Sequence, residues 1–122
     1  HTPVGFCDEM NRGYMECRGI GIINVEELFG IRFIRLEKRI DLVVTFIEDH
    51  EGVEADRTGL ERRTFDILDF PVPHMQIPLR PGRDMARLVE VAAMVQAGRY
   101  LGHDSAQDFN RKLLKKMNPT RA

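Results

Sequence analysis

Metal-ligand spacing, a long apolar run and an excess of charge of either sign are all missing from this 122-residue sequence. Its two cysteines, Cys7 and Cys17, stand ten positions apart, with no C-x-x-C and no histidine pair at ligand spacing. That excludes a structural zinc site of the usual tetrahedral kind. The pair reads as two reduced, small apolar residues of a cytoplasmic protein, with a disulfide between them as the alternative. Eighteen basic residues against nineteen acidic ones leave a net charge of -1, which argues against an electrostatic binder of nucleic acid, whose basic stripe comes with a strong positive balance. No apolar stretch approaches the roughly 18 residues of a membrane-spanning helix. Neither nucleic acid nor membrane is therefore an expected partner. The opening His1-Thr2-Pro3-Val4-Gly5 has no charged n-region or apolar h-region, so no signal peptide is expected. The four histidines are scattered in loop-like contexts, none is placed for a catalytic triad, and none is assigned a role. Internal repeats and low-complexity tracts are absent as well.

What is present reads as a single globular domain. Apolar residues make up 43% and charged residues 30% of a 14.1 kDa chain, a length at which a core can be buried. Fourteen of the eighteen basic residues are arginine. Arginine suits bidentate recognition of phosphate and carboxylate, although GC-rich coding produces the same bias.

The patterning predicts a mixed α/β chain. Residues 1–7 read as a loop or broken edge. Asp8 to Met15 reads as a short helix capped by Asp8, and Gly21 to Asn24 as a short buried strand. Asn24 then caps a one-turn helix over Val25 to Phe29, stopped by Gly30. Ile31 to Leu36 and Ile40 to Glu48 read as strands on either side of a solvated Glu37-Lys38-Arg39 turn. The second is apolar on both faces and so is expected in the sheet interior. Asp49 to Arg63 is polar with two glycines and reads as a loop, long enough to suggest function. Thr64 to Leu68 and Met75 to Leu79 read as strands about a Pro71-x-Pro73 corner. Asp84 to Leu101 is the clearest helix, with Met85, Leu88, Val89, Ala92 and Val95 as its core stripe and Gly102 as its stop. Ser105 is the expected cap of a last helix over Ala106 to Met117.

Two places concentrate chemistry. In Met15-Glu16-Cys17-Arg18-Gly19-Ile20-Gly21-Ile22-Ile23-Asn24, an acid and an arginine stand at the mouth of an apolar run. A charge at the entrance to a buried strand needs a partner, water or a metal. The plain reading is a helix-end Glu16 paired with Arg18. In Pro78-Leu79-Arg80-Pro81-Gly82-Arg83, two prolines fix φ and Gly82 permits a turn. Arg80 and Arg83 flank the start of the following helix, where free N–H groups favour an anion. The plain reading there is a stiff connector with two solvated arginines. Arg57, in the long polar loop beside Asp56, reads on its own as a solvated side chain.

Met15 to Asn24, followed by Glu26-Glu27-Leu28-Phe29-Gly30, resembles the signature block of the bacterial HPr kinase/phosphorylase family. Three further stretches resemble that family in the same order. They are Val53-Glu54-Ala55-Asp56-Arg57-Thr58-Gly59-Leu60, then Pro73 to Arg83 running into Glu90-Val91-Ala92-Ala93-Met94, then Asp108 to Leu113. Together they cover roughly residues 8 to 117. The resemblance implies an α/β fold, part of a P-loop kinase domain of the phosphoenolpyruvate carboxykinase-like type, with a mixed sheet followed by two C-terminal helices. It implies ATP-dependent phosphorylation of a serine in the phosphocarrier protein HPr, reversed by inorganic phosphate, in control of sugar transport and carbon metabolism. It further implies Mg²⁺, homohexamers and a cytoplasmic setting.

Carried onto this chain, the resemblance makes Glu16 the Mg²⁺ ligand and Arg57 a catalytic arginine, with Arg18, Arg80 and Arg83 as further catalytic cations. It makes Pro78 to Arg83 the loop used in phosphorolysis. Two departures stand out: His74 where Lys is common, and Asp84 where Asn is common. The family's G-x-x-x-x-G-K-[ST] nucleotide loop occurs nowhere in the sequence. Residues 1–122 are accordingly expected to be the C-terminal part of the catalytic domain, inactive alone. The alternative is a non-catalytic oligomerisation or interaction module left from a truncated or degenerate copy.

Overall fold

A computed structural model describes residues 2–48 and 62–117 of the chain. They fall into two compact units that divide after Ile40.

The first unit is built from two small antiparallel pairs. β1 (Val4–Phe6) pairs with β4 (Glu37–Arg39), Val4 opposite Arg39. β2 (Tyr14–Cys17) and β3 (Gly21–Asn24) form a hairpin, Tyr14 opposite Asn24. Asp8 caps only one turn of 3-10 helix, Glu9–Asn11, its carboxylate accepting from the Asn11 N–H at 3.1 Å. The helix expected to Met15 stops there because Gly13 takes φ +86° and Tyr14 and Met15 enter the β2 ladder.

Asn24 does cap α1 (Val25–Phe29), and Gly30, at φ +100°, ends it. The strand expected over Ile31 to Leu36 is instead a 3-10 turn, Ile31–Phe33. It is closed by the Phe33 N–H on Gly30 O and by edge-to-face contact between Phe29 and Phe33, centroids 6.0 Å apart. Glu37-Lys38-Arg39, expected as a turn, is strand because β1 supplies a partner. Pairing across the chain overrides the polar local pattern.

The second unit holds a mixed three-stranded sheet in the order β5-β7-β6, followed by two helices. β5 (Val43–Glu48) runs parallel to β7 (Phe70–Leu79), and β6 (Arg63–Ile67) antiparallel to it. The central strand is β7, not β5 as its two apolar faces suggested: among the described residues β5 pairs with β7 alone.

Pro71 and Pro73 lie within β7 rather than at a corner. Pairing to β6 runs from Phe70 to His74 and pairing to β5 from His74 to Leu79, so His74 alone is flanked on both sides. Pro71, Pro73 and Pro78 each stand where β7 has a single neighbour, positions at which a missing N–H need not cost a ladder bond. The β6–β7 turn places Leu68 at φ 51° and Asp69 at φ 63°. Two consecutive positive φ values are the mark of the tight I′ hairpin turn.

α2 (Met85–Tyr100) packs on β7, with Val72 fully buried and Ala92 6% exposed. The expected stripe of Met85, Leu88, Val89, Ala92 and Val95 is the covered face, while Met94 is 63% exposed. Gly102, at φ +91°, ends the helix region. The cap of α3 (Ser105–Met117) is Asp104 rather than Ser105: its Oδ1 accepts from the N–H groups of Ala106 and Gln107 at 3.1 and 3.2 Å.

Candidate functional site

The stretch from Met15 to Asn24 is a hairpin, and its register dictates what its side chains can do. Glu16 lies directly opposite Ile22, and paired residues share a face of the ribbon. The turn is Arg18-Gly19-Ile20, closed by the Ile20 N–H on Cys17 O at 3.0 Å, with Gly19 at φ +87°. That positive φ is what favours glycine here, because a Cβ would crowd its own backbone; no neighbouring atom lies within 4 Å of where the Cβ would stand, so packing is not the constraint.

Glu16 therefore sits on a strand, not at a helix end, and Arg18 at the tip of the hairpin. Both side chains are exposed, and so is Ile22, at 76%. The run is not the buried strand the composition suggested. No ion pair among the described residues joins Glu16 to Arg18. Cys7 and Cys17 are free thiols, which removes the disulfide alternative.

No group of three or more His, Cys, Asp or Glu side chains among the described residues could hold a metal. That arrangement is the mark of an all-protein cage. Mg²⁺ characteristically takes one or two carboxylates and fills its remaining positions with water and substrate phosphate. A single exposed carboxylate with no ion-pair partner among the described residues, as at Glu16, fits that donor set.

In the second unit, β7 leads straight into the other candidate stretch. Beyond Leu79 the chain turns at Arg80-Pro81-Gly82-Arg83, with the Arg83 N–H on Arg80 O at 3.3 Å and Gly82 at φ +78°. Arg83 Nη1 reaches back to Pro78 O at 3.4 Å, which folds its side chain along the loop. Arg80 and Arg83 are both exposed and stand four and one residues before the cap of α2.

Asp84 supplies that cap, its Oδ1 accepting from the Arg87 N–H at 3.0 Å. The aspartate thus occupies one of the N–H groups that an anion at this helix end would otherwise use. What remains for an anion here is the pair of arginines more than the helix terminus.

His74, expected in a loop and given no role, is in the middle of β7. Its Nε2 lies 2.7 Å from Thr45 Oγ1, and its ring meets Phe65 edge-on at 5.5 Å. Arg63, expected in the long loop, opens β6 and faces His74 in register. Positions 49–61 of that loop, including Arg57 and the Val53 to Leu60 stretch, lie outside the described residues. Sequence reasoning missed Asp104, which joins the N–H groups of α3 to Arg62 and Arg99. The signal available was its place two residues after Gly102, where a cap belongs.

The mixed sheet and two C-terminal helices are an α/β fold. A model of the HPr serine kinase C-terminal domain matches residues 1–113. The chain is 45% identical over 105 residues to an HPr kinase/phosphorylase of Chloroherpeton thalassium, covering 86% of this chain and 31% of the relative. It is 41% identical over 114 residues to an HPr kinase/phosphorylase of Geobacter sulfurreducens, covering 93% and 36%. Its backbone is similar to the solved Hpr(Ser) kinase/phosphatase of Coxiella burnetii, with a TM-score of 0.73 at 28% identity over 88% of this chain and 66% of that one. The neighbour's fold is of the P-loop kinase type. This chain belongs to the HPr serine kinase C-terminal domain family. It spans about a third of the length of these curated relatives.

Proposed function

We propose that residues 1–122 form the C-terminal part of the catalytic domain of an enzyme that phosphorylates a serine of HPr from ATP and removes it by phosphorolysis. The observation that carries this reading is the family match over residues 1–113, at 41 to 45% identity to two enzymes of that name. The hexameric assembly, cytoplasmic setting and role in sugar transport and carbon metabolism belong to the same proposal. No helix among the described residues is long and apolar enough to cross a membrane.

Phosphoryl transfer is positioning plus stabilisation of charge on the transferring oxygens. Glu16 would hold Mg²⁺, whose positive charge offsets that of the phosphate oxygens. Arg18 at the hairpin tip and Arg57 are the cations for the transferring group, and the exposure of Arg18 leaves it able to meet a bound protein substrate. Arg80 and Arg83 would hold the inorganic phosphate that attacks phosphoserine in the reverse direction, with pyrophosphate leaving.

The test is made on the whole protein, with both initial rates measured on HPr and phospho-HPr. Glu16→Ala and Arg57→Ala should each depress both directions by roughly 10²-fold, the scale of a removed transition-state contact. Rates that hold while only stability changes would make both residues structural and overturn this assignment.

A further inference from the structure

The turn from β7 into α2 carries charge of both signs. Among residues 78–84 the charged side chains are Arg80, Arg83 and Asp84, so the aspartate offsets half of the positive charge that the arginines bring. All three are exposed. Asp84 follows Arg83 directly, which keeps the carboxylate and the guanidinium on the order of 10 Å apart or less, about one Debye length at moderate salt. An anion held by the loop therefore lies in the field of that carboxylate.

The local bonding orients Asp84 and leaves its charge unneutralised. Its Oδ1 accepts from the Arg87 N–H at 3.0 Å, the cap of α2. The Arg87 side chain could balance it from three positions on, but pairs instead with Glu90 at 3.1 Å. The Arg83 side chain turns back to Pro78 O. Among the described residues no ion pair includes Asp84. A cap needs a side-chain oxygen and not a charge, since asparagine and serine cap about as well as aspartate. The negative charge of Asp84 is thus separable from its part in the fold.

We infer that Asp84 sets the inorganic-phosphate concentration at which the reverse reaction runs, its carboxylate weakening by repulsion the hold of the loop on phosphate. This role rests on the proposed reading of Pro78 to Arg83 as the phosphate loop. Between exposed groups such repulsion amounts to a factor of several, enough to move a half-saturation point and too little to abolish binding.

Phosphorolysis of phospho-HPr by the whole protein is measured against phosphate concentration for the parent, Asp84→Asn, Asp84→Ser and Asp84→Glu. The asparagine and serine variants keep a capping oxygen without the charge. Each should reach half-maximal rate at about fivefold less phosphate, with the change larger there than in the rate at saturation. Asp84→Glu keeps the charge on a residue that caps poorly. It should melt at a lower temperature than the parent but keep the parent's half-maximal phosphate concentration. Added potassium chloride should shrink the gap between parent and Asp84→Asn, because the repulsion is screened. A role confined to the cap would reverse the pattern, with Asp84→Glu displaced and Asp84→Asn not, and would overturn the inference. So would a gap that does not respond to salt.

Arg80→Ala/Arg83→Ala, assayed alongside, separates this role from the reading beneath it. If that double variant leaves the half-maximal phosphate concentration where it was, the loop is not the phosphate site and the role of Asp84 falls with it. If the double variant raises the concentration while Asp84→Asn and Asp84→Ser leave it unchanged, the loop reading stands and the role of Asp84 alone is overturned.

Discussion

Protonating Asp104 should loosen the start of α3. Burial disfavours the charged carboxylate, but the Gln107 N–H, the charges of Arg99 and Arg62 and the Ala106 N–H outweigh it. The net effect holds the pKa below its ordinary value of 3.8. A depressed folded-state pKa means the stabilisation is complete above the unfolded value. It is lost as pH falls from about there through the folded one. Asp104→Asn retains a capping oxygen but not the charge. It should be less stable than the parent at neutral pH and show a flatter acid limb. Thermal unfolding followed by circular dichroism, from neutral pH down through the carboxylate range, checks this. Parallel acid limbs for the two proteins would show that the carboxylate is not linked to folding. At this scale the sequence was legible where one residue type does one job. Asn24, Gly30 and Gly102 each sit where their capping or φ > 0 chemistry placed them. It was not legible where neighbours compete: Asp104 and Ser105 are both good caps, and the choice rests on Arg62, which reaches Asp104 from 42 residues away.

The loop between β7 and α2 is an element with one stated job, and its two arginines allow that job to be isolated. On the proposed reading Arg57 acts on the transferring phosphoryl group, which passes the same point in both directions, so its loss should be symmetric. Arg80 and Arg83, if they hold inorganic phosphate, serve only the reverse direction. Their Ala variants in the whole protein should lose phosphorolysis at least ten times more than kinase activity, a difference of about 1.4 kcal/mol in transition-state stabilisation. Both initial rates are measured with phosphate varied, and the phosphate concentration for half-maximal phosphorolysis should rise. Equal losses would leave the stretch as a connector. Elements whose residues follow a single period, α2 above all, were readable from the chain. Those fixed by a distant partner were not. Glu37–Arg39 is strand only because Val4–Phe6 lies beside it, and β7 tolerates its prolines only because the two flanking ladders overlap at one residue, His74. The Leu68-Asp69 turn was hidden because leucine does not favour φ > 0, and it adopts 51° where the two strands demand it.

Taken as a whole molecule, the chain carries fourteen arginines and no G-x-x-x-x-G-K-[ST] motif. Val72 and Ala92 are the buried apolar core among the described residues, while Phe6, Met10, Ile20, Ile22 and Ile31 are each more than 70% exposed. On α3, Phe109, Leu113 and Met117 recur at four-residue spacing and are all exposed. The four matching stretches made the family legible from the sequence, since motifs in order survive without any knowledge of packing. The exposure was not legible, because apolar periodicity states which face an element would bury and not whether anything covers it. The same separation governs nucleotide binding. A triphosphate is held by successive backbone N–H groups of a glycine-rich loop, with a lysine and a hydroxyl at its end. The 122 residues contain no G-x-x-x-x-G-K-[ST], and exposed arginines such as Arg18 and Arg83 supply charge without that geometry. The 122-residue chain by itself should therefore bind Mg-ATP with a Kd of about 1 mM or weaker, near −4 kcal/mol. Isothermal titration calorimetry on the chain measures this directly. A micromolar Kd would mean that these residues build a nucleotide site of their own. The assignment of Glu16 and the arginines to metal and phosphate, with the nucleotide held elsewhere, would then fall.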